Sequence, residues 1–402
     1  MYLPAHTGTS KLERVETNNK RYVWWANNYW FHRHKYLLMS AYFGLKVLWE
    51  RESRLKEDEK DVVMFADSGG FQARSLGVNL PPLKVLQWME RNCQYGFTMD
   101  IPPFAKGEVG EQSWEGATRS VLDEENFKNC CNLTKNNNVF FEKYRDEGSK
   151  LKIYNVIHGN TPLRFKYWFN EMKNFNFEGY GIGGMIPLSD PFQMFGPIYL
   201  HNEGIKKNIH IFGVSGFDIV PILVYYSTFI KKLSFDSSLY IEGRKFRKYI
   251  LPINPKFKIR LGFGSSKKSV KQWTQSTISK LPCNCNICEY VNENGLMKEL
   301  LTSKDSTYGF MISTHDLNVF MNYVTMLNNL KSDKEEFKNY VRLYCKPETT
   351  EMIKLIDVYL EEGIEKAEKL LYQKTSSVNK QFHSEKSLFN FVGEEEGNDS
   401  GI

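Results

Sequence analysis

A chain of 402 residues with 41% apolar content has enough hydrophobic mass for a large core, which excludes wholesale disorder. Its net charge of +6 is modest, and its longest apolar run, Ile219 to Ile230, is too short to cross a bilayer. With no apolar stretch near the amino terminus to act as a signal peptide, the expectation is a soluble protein without membrane partners.

Residues 1–35 show no assignable pattern and are left as a terminal segment of unknown role, of the kind that is often poorly ordered. From there, short apolar runs alternate with longer helical patterns, as βα repetition requires. Leu37 to Phe43 reads as a strand, followed by Val62 to Ala66, Phe97 to Met99 and Leu151 to Ile157. Tyr180 to Ile182, Ile209 to Val214 and Leu233 to Phe235 complete the series, with helices expected over Pro82 to Tyr95 and Pro162 to Asn176. Beyond His315 the pattern turns helical over Leu317 to Leu330, Lys334 to Leu343 and Thr349 to Leu371. Residues 373–402 are polar, with Glu394, Glu395 and Glu396, and read as a flexible tail.

Polar residues follow the strands: Asp67, Asp100, His158, the pair Gly183 and Gly184, and Asp236. Functional groups at the carboxyl ends of many strands are what a (β/α)8 barrel gathers on one face. An open doubly wound sheet would gather them at one switch point instead. The fold class expected is therefore α/β, a TIM-like barrel.

Asp67-Ser68-Gly69-Gly70-Phe71-Gln72 sets a carboxylate beside paired glycines that allow a flat ligand close to the backbone, and it reads equally as a tight turn with an Asx cap. Between Arg244 and Lys271 every charged residue is basic, beginning with Arg244, Lys245, Arg247 and Lys248, with aromatics interleaved. Such a segment suits a phosphate backbone, or is simply a solvated basic surface. Cys283, Cys285 and Cys288 with His315 form a Cys-x-Cys-x2-Cys…His set, a closed tetrahedral zinc pattern without an open position for a catalytic water. One structural Zn2+ per chain is expected. Cys93, Cys130, Cys131 and Cys345 lack disulfide-like spacing, which together with a thiolate metal site points to a reducing compartment, the cytoplasm.

Together the Asp67–Gln72 hexapeptide, Gly183-Gly184, Phe212-Gly213-Val214, Phe235-Asp236-Ser237 and the Cys/Cys/Cys/His set resemble the queuine/archaeosine family of guanine transglycosylases. The resemblance implies a barrel over residues 36–330 with a zinc subdomain at 281–316, then C-terminal helices at 331–372. It implies exchange of a guanine in nucleic acid for a 7-deazaguanine, such as the nitrile-bearing precursor. Retention at C1′ needs two displacements, hence a covalent carboxylate nucleophile and a second acid, as in retaining glycosidases. By the family's motif Asp236 matches the nucleophile and Asp67 the general acid/base. Asp100, Ser68, Phe71, His158, Gly184 and Phe212 match positions around the base, and Arg244, Lys245, Arg247 and Lys248 would contact phosphates.

His158-Gly159-Asn160 stands where the family carries Gln-Gly-Gly, so an imidazole replaces an amide at an expected base contact. The Phe235-Asp236-Ser237-Ser238 stretch is similar to the archaeal branch, while the chain leaves no room for that branch's extra RNA-binding domains. That combination is similar to the DNA-guanine transglycosylases of phages and bacterial genomic islands, enzymes associated with restriction evasion. DNA is therefore the favoured polymer and tRNA the alternative. A non-catalytic partner subunit, a zinc hydrolase and a bare nucleic-acid-binding module are the competing classes; a homodimer or accessory proteins fit any of them.

Overall fold

The computed structural model describes residues 1–6, 15–17, 20–22, 34–55, 57–103, 124–159, 161–183, 194–214, 216–237, 240, 248–250, 260–262, 280–303 and 305–374. Eight parallel strands close into a barrel. They are β1 (Tyr2–His6), β2 (Tyr36–Ser40), β3 (Val63–Asp67), β4 (Tyr95–Phe97), β5 (Lys152–His158), β6 (Gly179–Gly183), β7 (Asn208–Ile211) and β8 (Leu233–Ser237). The expected (β/α)8 class is the observed one.

The amino-terminal segment needs correcting, because β1 comes from it. Tyr2–His6 lies between β8 and β2 and closes the ring, with Leu3 opposite Asp236 and Ala5 opposite Leu38. Pro4 hid it, since a proline within a short run argues against a strand. A hairpin, Val15–Thr17 with Lys20–Tyr22, also falls within residues 1–35.

Strand alternation sorts the core into two layers. Leu37, Met39, Met64, Ala66, Ile209, Ile211 and Phe235 face the helices, whereas Leu3, Leu38, Phe65, Phe97, Tyr154 and Val156 fill the barrel. The same parity turns Asp67, His158, His210 and Asp236 inward, because each is an even step from, or stands opposite, an interior residue.

Helices cover the barrel: α1 (Ala41–Lys46), α2 (Arg51–Arg54), α3 (Gly70–Leu76), α4 (Pro82–Asn92), α5 (Glu124–Tyr144), α6 (Pro162–Met172), α7 (Gly196–Asn202) and α8 (Val220–Tyr226). Thr161 starts α6 by accepting from the Arg164 N–H, with Pro162 next in the first turn, so the chain leaves β5 at His158 almost directly into a helix.

After a short antiparallel pair, β9 (Lys248–Ile250) with β10 (Arg260–Gly262), come α9 (Asn286–Glu293), α10 (Met297–Thr302) and α11 (Ser306–Leu330). Helix α11 joins two cores. Met311 and Ile312 pack with Tyr249, Leu281, Ile287 and the cluster cysteines, while Leu317, Phe320, Tyr323 and Leu327 pack on the barrel. His315 therefore lies inside this helix, not ahead of it. Helices α12 (Lys334–Tyr344), α13 (Pro347–Glu362) and α14 (Ile364–Lys374) follow. The single helix expected over Thr349 to Leu371 is two, interrupted at Gly363 with φ +89°. Among the described residues no helix is long and apolar enough to cross a membrane.

Candidate active site and metal centre

Parallel strands send all their carboxyl ends to one mouth, and the acids collect there. Asp67 ends β3, Asp100 follows β4, and Asp236 stands next to last in β8. Burial, then the negative charges of Asp100 and Asp236, push the Asp67 carboxyl up from 3.8 to about 7, against the opposing pull of the Gly69 and Ser68 N–H groups. A carboxyl that titrates near neutrality can both give and take a proton in one cycle.

That shift fixes a sign for stability. The folded chain keeps the Asp67 proton between about pH 4 and 7, where the unfolded chain has lost it, so this contribution is fully present below 3.8 and lost as pH rises through about 7. Asp67→Asn has no proton to lose, so its melting temperature should rise relative to the parent's between about pH 4 and 8. Parallel melting curves for the two across that range would mean that the carboxyl is not perturbed.

Asp100 is held at both oxygens. Ser68 Oγ donates to Oδ1 at 3.0 Å and His158 Nε2 bonds Oδ2 at 2.7 Å. Gly70 lets this happen: a Cβ there would lie 2.2 Å from the Asp100 carbonyl oxygen. Ser68 and His158 are both enclosed, at 0% and 2% exposure. Ser68 Oγ also accepts the Gly70 N–H at 3.2 Å. The His158 ring meets Trp168 edge to face, and its buried Nδ1 has no hydrogen-bond partner among the described residues. What both residues hold is the Asp100 carboxylate, and Asp100 is the group of the three that borders the mouth.

Asp236 is anchored on one side. Its Oδ1 accepts the Gly213 N–H at 2.8 Å and lies 3.3 Å from His210 Nε2. His210 is a residue the sequence reading missed. The only signal for it was a polar side chain at the inward position of Asn208-Ile209-His210-Ile211. Phe212 is half-buried above it, edge to face with Phe97 at 4.5 Å and with His210 at 4.7 Å. Phe71 lies half-buried on α3. Gly184, Arg244, Lys245 and Arg247 fall outside the described residues, as does the side chain of Lys248.

In the smaller core, Cys283, Cys285, Cys288 and His315 bring their ligand atoms within 4.8 Å of one another, all buried. His315 Nδ1 lies 3.4 Å from Cys285 Sγ and 3.3 Å from Cys288 Sγ. Ligand atoms of a tetrahedral zinc stand about 3.5–4 Å apart, so the set fits such an ion. The outer contacts fit too. His315 Nε2 bonds the Ile250 carbonyl at 2.7 Å, which fixes Nδ1 as the ligating nitrogen. Tyr249 OH lies 3.1 Å from Cys288 Sγ, and its ring stacks on His315 at 3.9 Å. Asp316 accepts the Ile250 N–H at 2.8 Å, so Ile250 of β9 is bound through both its backbone groups to two successive residues of the helix that carries the histidine. This cluster could hold a metal ion.

The chain thus has a closed parallel barrel with three carboxylates at the carboxyl ends of its strands and a buried Cys3His cluster in a second, smaller core. No family model matches it, and neither does any curated protein.

Proposed function

We propose that this protein is a guanine transglycosylase, which exchanges a guanine in nucleic acid for a 7-deazaguanine by double displacement. The observation that carries the reading is the division of labour between two acids at one mouth. Asp67 titrates near 7, whereas Asp236 has one oxygen pinned by N–H groups and no hydrogen bond to the other among the described residues.

In the first displacement an Asp236 oxygen forms a bond to C1′ while the glycosidic bond breaks. Its electron pair goes to the departing base nitrogen, which takes the proton of Asp67. In the second, Asp67 removes a proton from the incoming base, whose nitrogen attacks C1′ and releases the Asp236 carboxylate. Asp100, kept in place by Ser68 and His158, accepts hydrogen bonds from the donor edge of the base and discriminates against bases lacking those donors. Phe212 supplies a stacking face. The target nucleotide must leave the base stack, at a cost of a few kcal/mol. The basic segment around β9 and β10 supplies phosphate contacts that offset this cost. Zinc in the Cys3His cluster would brace that segment and take no part in the exchange.

DNA is the polymer proposed, on the similarity of the Phe235–Ser238 stretch to the archaeal branch and of such an archaeal-like core to the DNA-guanine transglycosylases. Labelled guanine offered with duplex DNA and with tRNA tests both levels. Label should enter DNA. Entry into tRNA alone would replace the polymer, and label in neither would overturn the transglycosylase reading.

A further inference from the structure

We propose that His210 is a positioning residue for Asp236: its Nε2–H, with the Gly213 N–H, holds Oδ1 and leaves Oδ2 as the oxygen that bonds C1′. The inference rests on the transglycosylase reading for the identity of the bond formed, but the hydrogen-bond chain beneath it is a property of the fold. His210 is fully enclosed, at 0% exposure, between the mouth and the barrel interior. Its two nitrogens face different partners: Nδ1 lies 3.0 Å from Ser234 Oγ and Nε2 lies 3.3 Å from Asp236 Oδ1.

The tautomer follows from those partners. A carboxylate oxygen only accepts, so the nitrogen that faces it must carry hydrogen. A neutral ring then has a bare Nδ1, which only a donor can satisfy, and the Ser234 hydroxyl is that donor. Ser234 has a competing acceptor in the Ile209 carbonyl, but at 3.4 Å that contact is longer than the one to the ring. Burial, the largest influence, lowers the proton affinity of the imidazole; Asp236 opposes it and the amino-terminal charge adds to it. The ring is therefore neutral, and the order is Ser234 O–H to Nδ1, then Nε2–H to Asp236.

Two donors on one carboxylate oxygen do three things. They fix the rotation of the carboxylate, they stabilise its charge, and they direct the remaining oxygen to the substrate. The covalent ester would keep Oδ1 as its carbonyl oxygen, still bonded to Gly213 N–H and His210 Nε2–H, as an oxyanion-type site would hold it. Ser234 and Asp236 occupy alternate positions of β8, and His210 occupies the facing position of β7, since Ser234 pairs with His210 in the strand register. The Ser234–His210–Asp236 chain is thus set by two neighbouring strands, which is where a site gains precision, and Gly213 adds its N–H from just beyond the end of β7.

Two experiments decide it, both on the full chain. In the first, 15N-histidine-labelled protein is observed by NMR, with the His210 signal assigned by its loss in His210→Phe. The neutral Nε2–H tautomer should persist from about pH 6 to 8, and its Nε2 resonance should move in Asp236→Asn. A cationic ring or an Nδ1–H tautomer in that range would overturn the proposal. In the second, His210→Phe keeps a ring of similar shape against Phe97 and Phe212 but removes the donor. Covalent adduct formation should slow about 10- to 100-fold, the scale of one hydrogen bond to a charged group, with KM for the base unchanged. His210→Gln, whose amide can donate, should restore part of the rate. Adduct formation at the parental rate in His210→Phe would remove the positioning role. A parent protein that exchanges no guanine would sink the transglycosylase reading, while the tautomer and its response to Asp236→Asn would still decide the hydrogen bond.

Discussion

Asp236→Asn should yield a folded protein that no longer forms a covalent adduct with nucleic acid and has lost base exchange by a factor on the order of 10⁴ or more, the scale seen when a covalent nucleophile is removed. Folding should survive because the substitution is isosteric and the anchoring donors keep an acceptor. An asparagine can turn its carbonyl oxygen to Gly213 N–H and His210 Nε2–H. Chemistry should not survive, because the other atom becomes an amide nitrogen without a nucleophilic lone pair. The removal of charge also relieves Asp67, which Asp236 helps to push up, so the remaining acid should titrate below the parent's value of about 7. An adduct trapped by denaturing electrophoresis in Asp236→Asn at the parental yield would place the nucleophile on another residue.

What the sequence made legible follows from what each feature depends on. A strand that ends in an acid is readable one residue at a time, so Asp67, Asp100 and Asp236 were found together with the barrel that gathers them. The Cys283–Cys288 spacing is equally local. Strand β1 was not readable, because Tyr2-Leu3-Pro4-Ala5-His6 is short, contains a proline and derives its strand character from β8 and β2 on either side.

The roles within the mouth were readable only in part. Ser68 and His158 sit at the right strand ends, but the sequence offers no way to know that both turn onto Asp100 across 32 and 58 residues of chain. A polar residue at a strand end can face a ligand or brace a neighbour, and only distance separates the two. His210 is the sharper case. It lies inside a strand, where a lone polar residue is ordinarily a satisfied core group, and its meaning comes from Asp236 on the next strand.

Cys285→Ser should release most of the bound metal and lower the melting temperature, with the smaller lobe lost before the barrel. Binding of zinc to sites of this kind is worth roughly 10 kcal/mol or more of folding free energy. The lobe's own core is small: Leu281, Ile287, Val291, Leu300, Met311 and Ile312 around the cysteines, with Tyr249 as its link to β9. Two consequences separate a bracing metal from an incidental one. Because Ile250 bonds both His315 and Asp316, loss of the metal should loosen β9 and expose the chain around it to protease. Because Leu317, Phe320, Tyr323 and Leu327 of α11 pack on the barrel, the far half of that helix should stay protected. Metal content is read by mass spectrometry and protection by hydrogen exchange. Full metal occupancy with unchanged melting in Cys285→Ser would remove the structural role. Uniform loss of protection through the barrel would instead mean that lobe and barrel unfold as one cooperative unit.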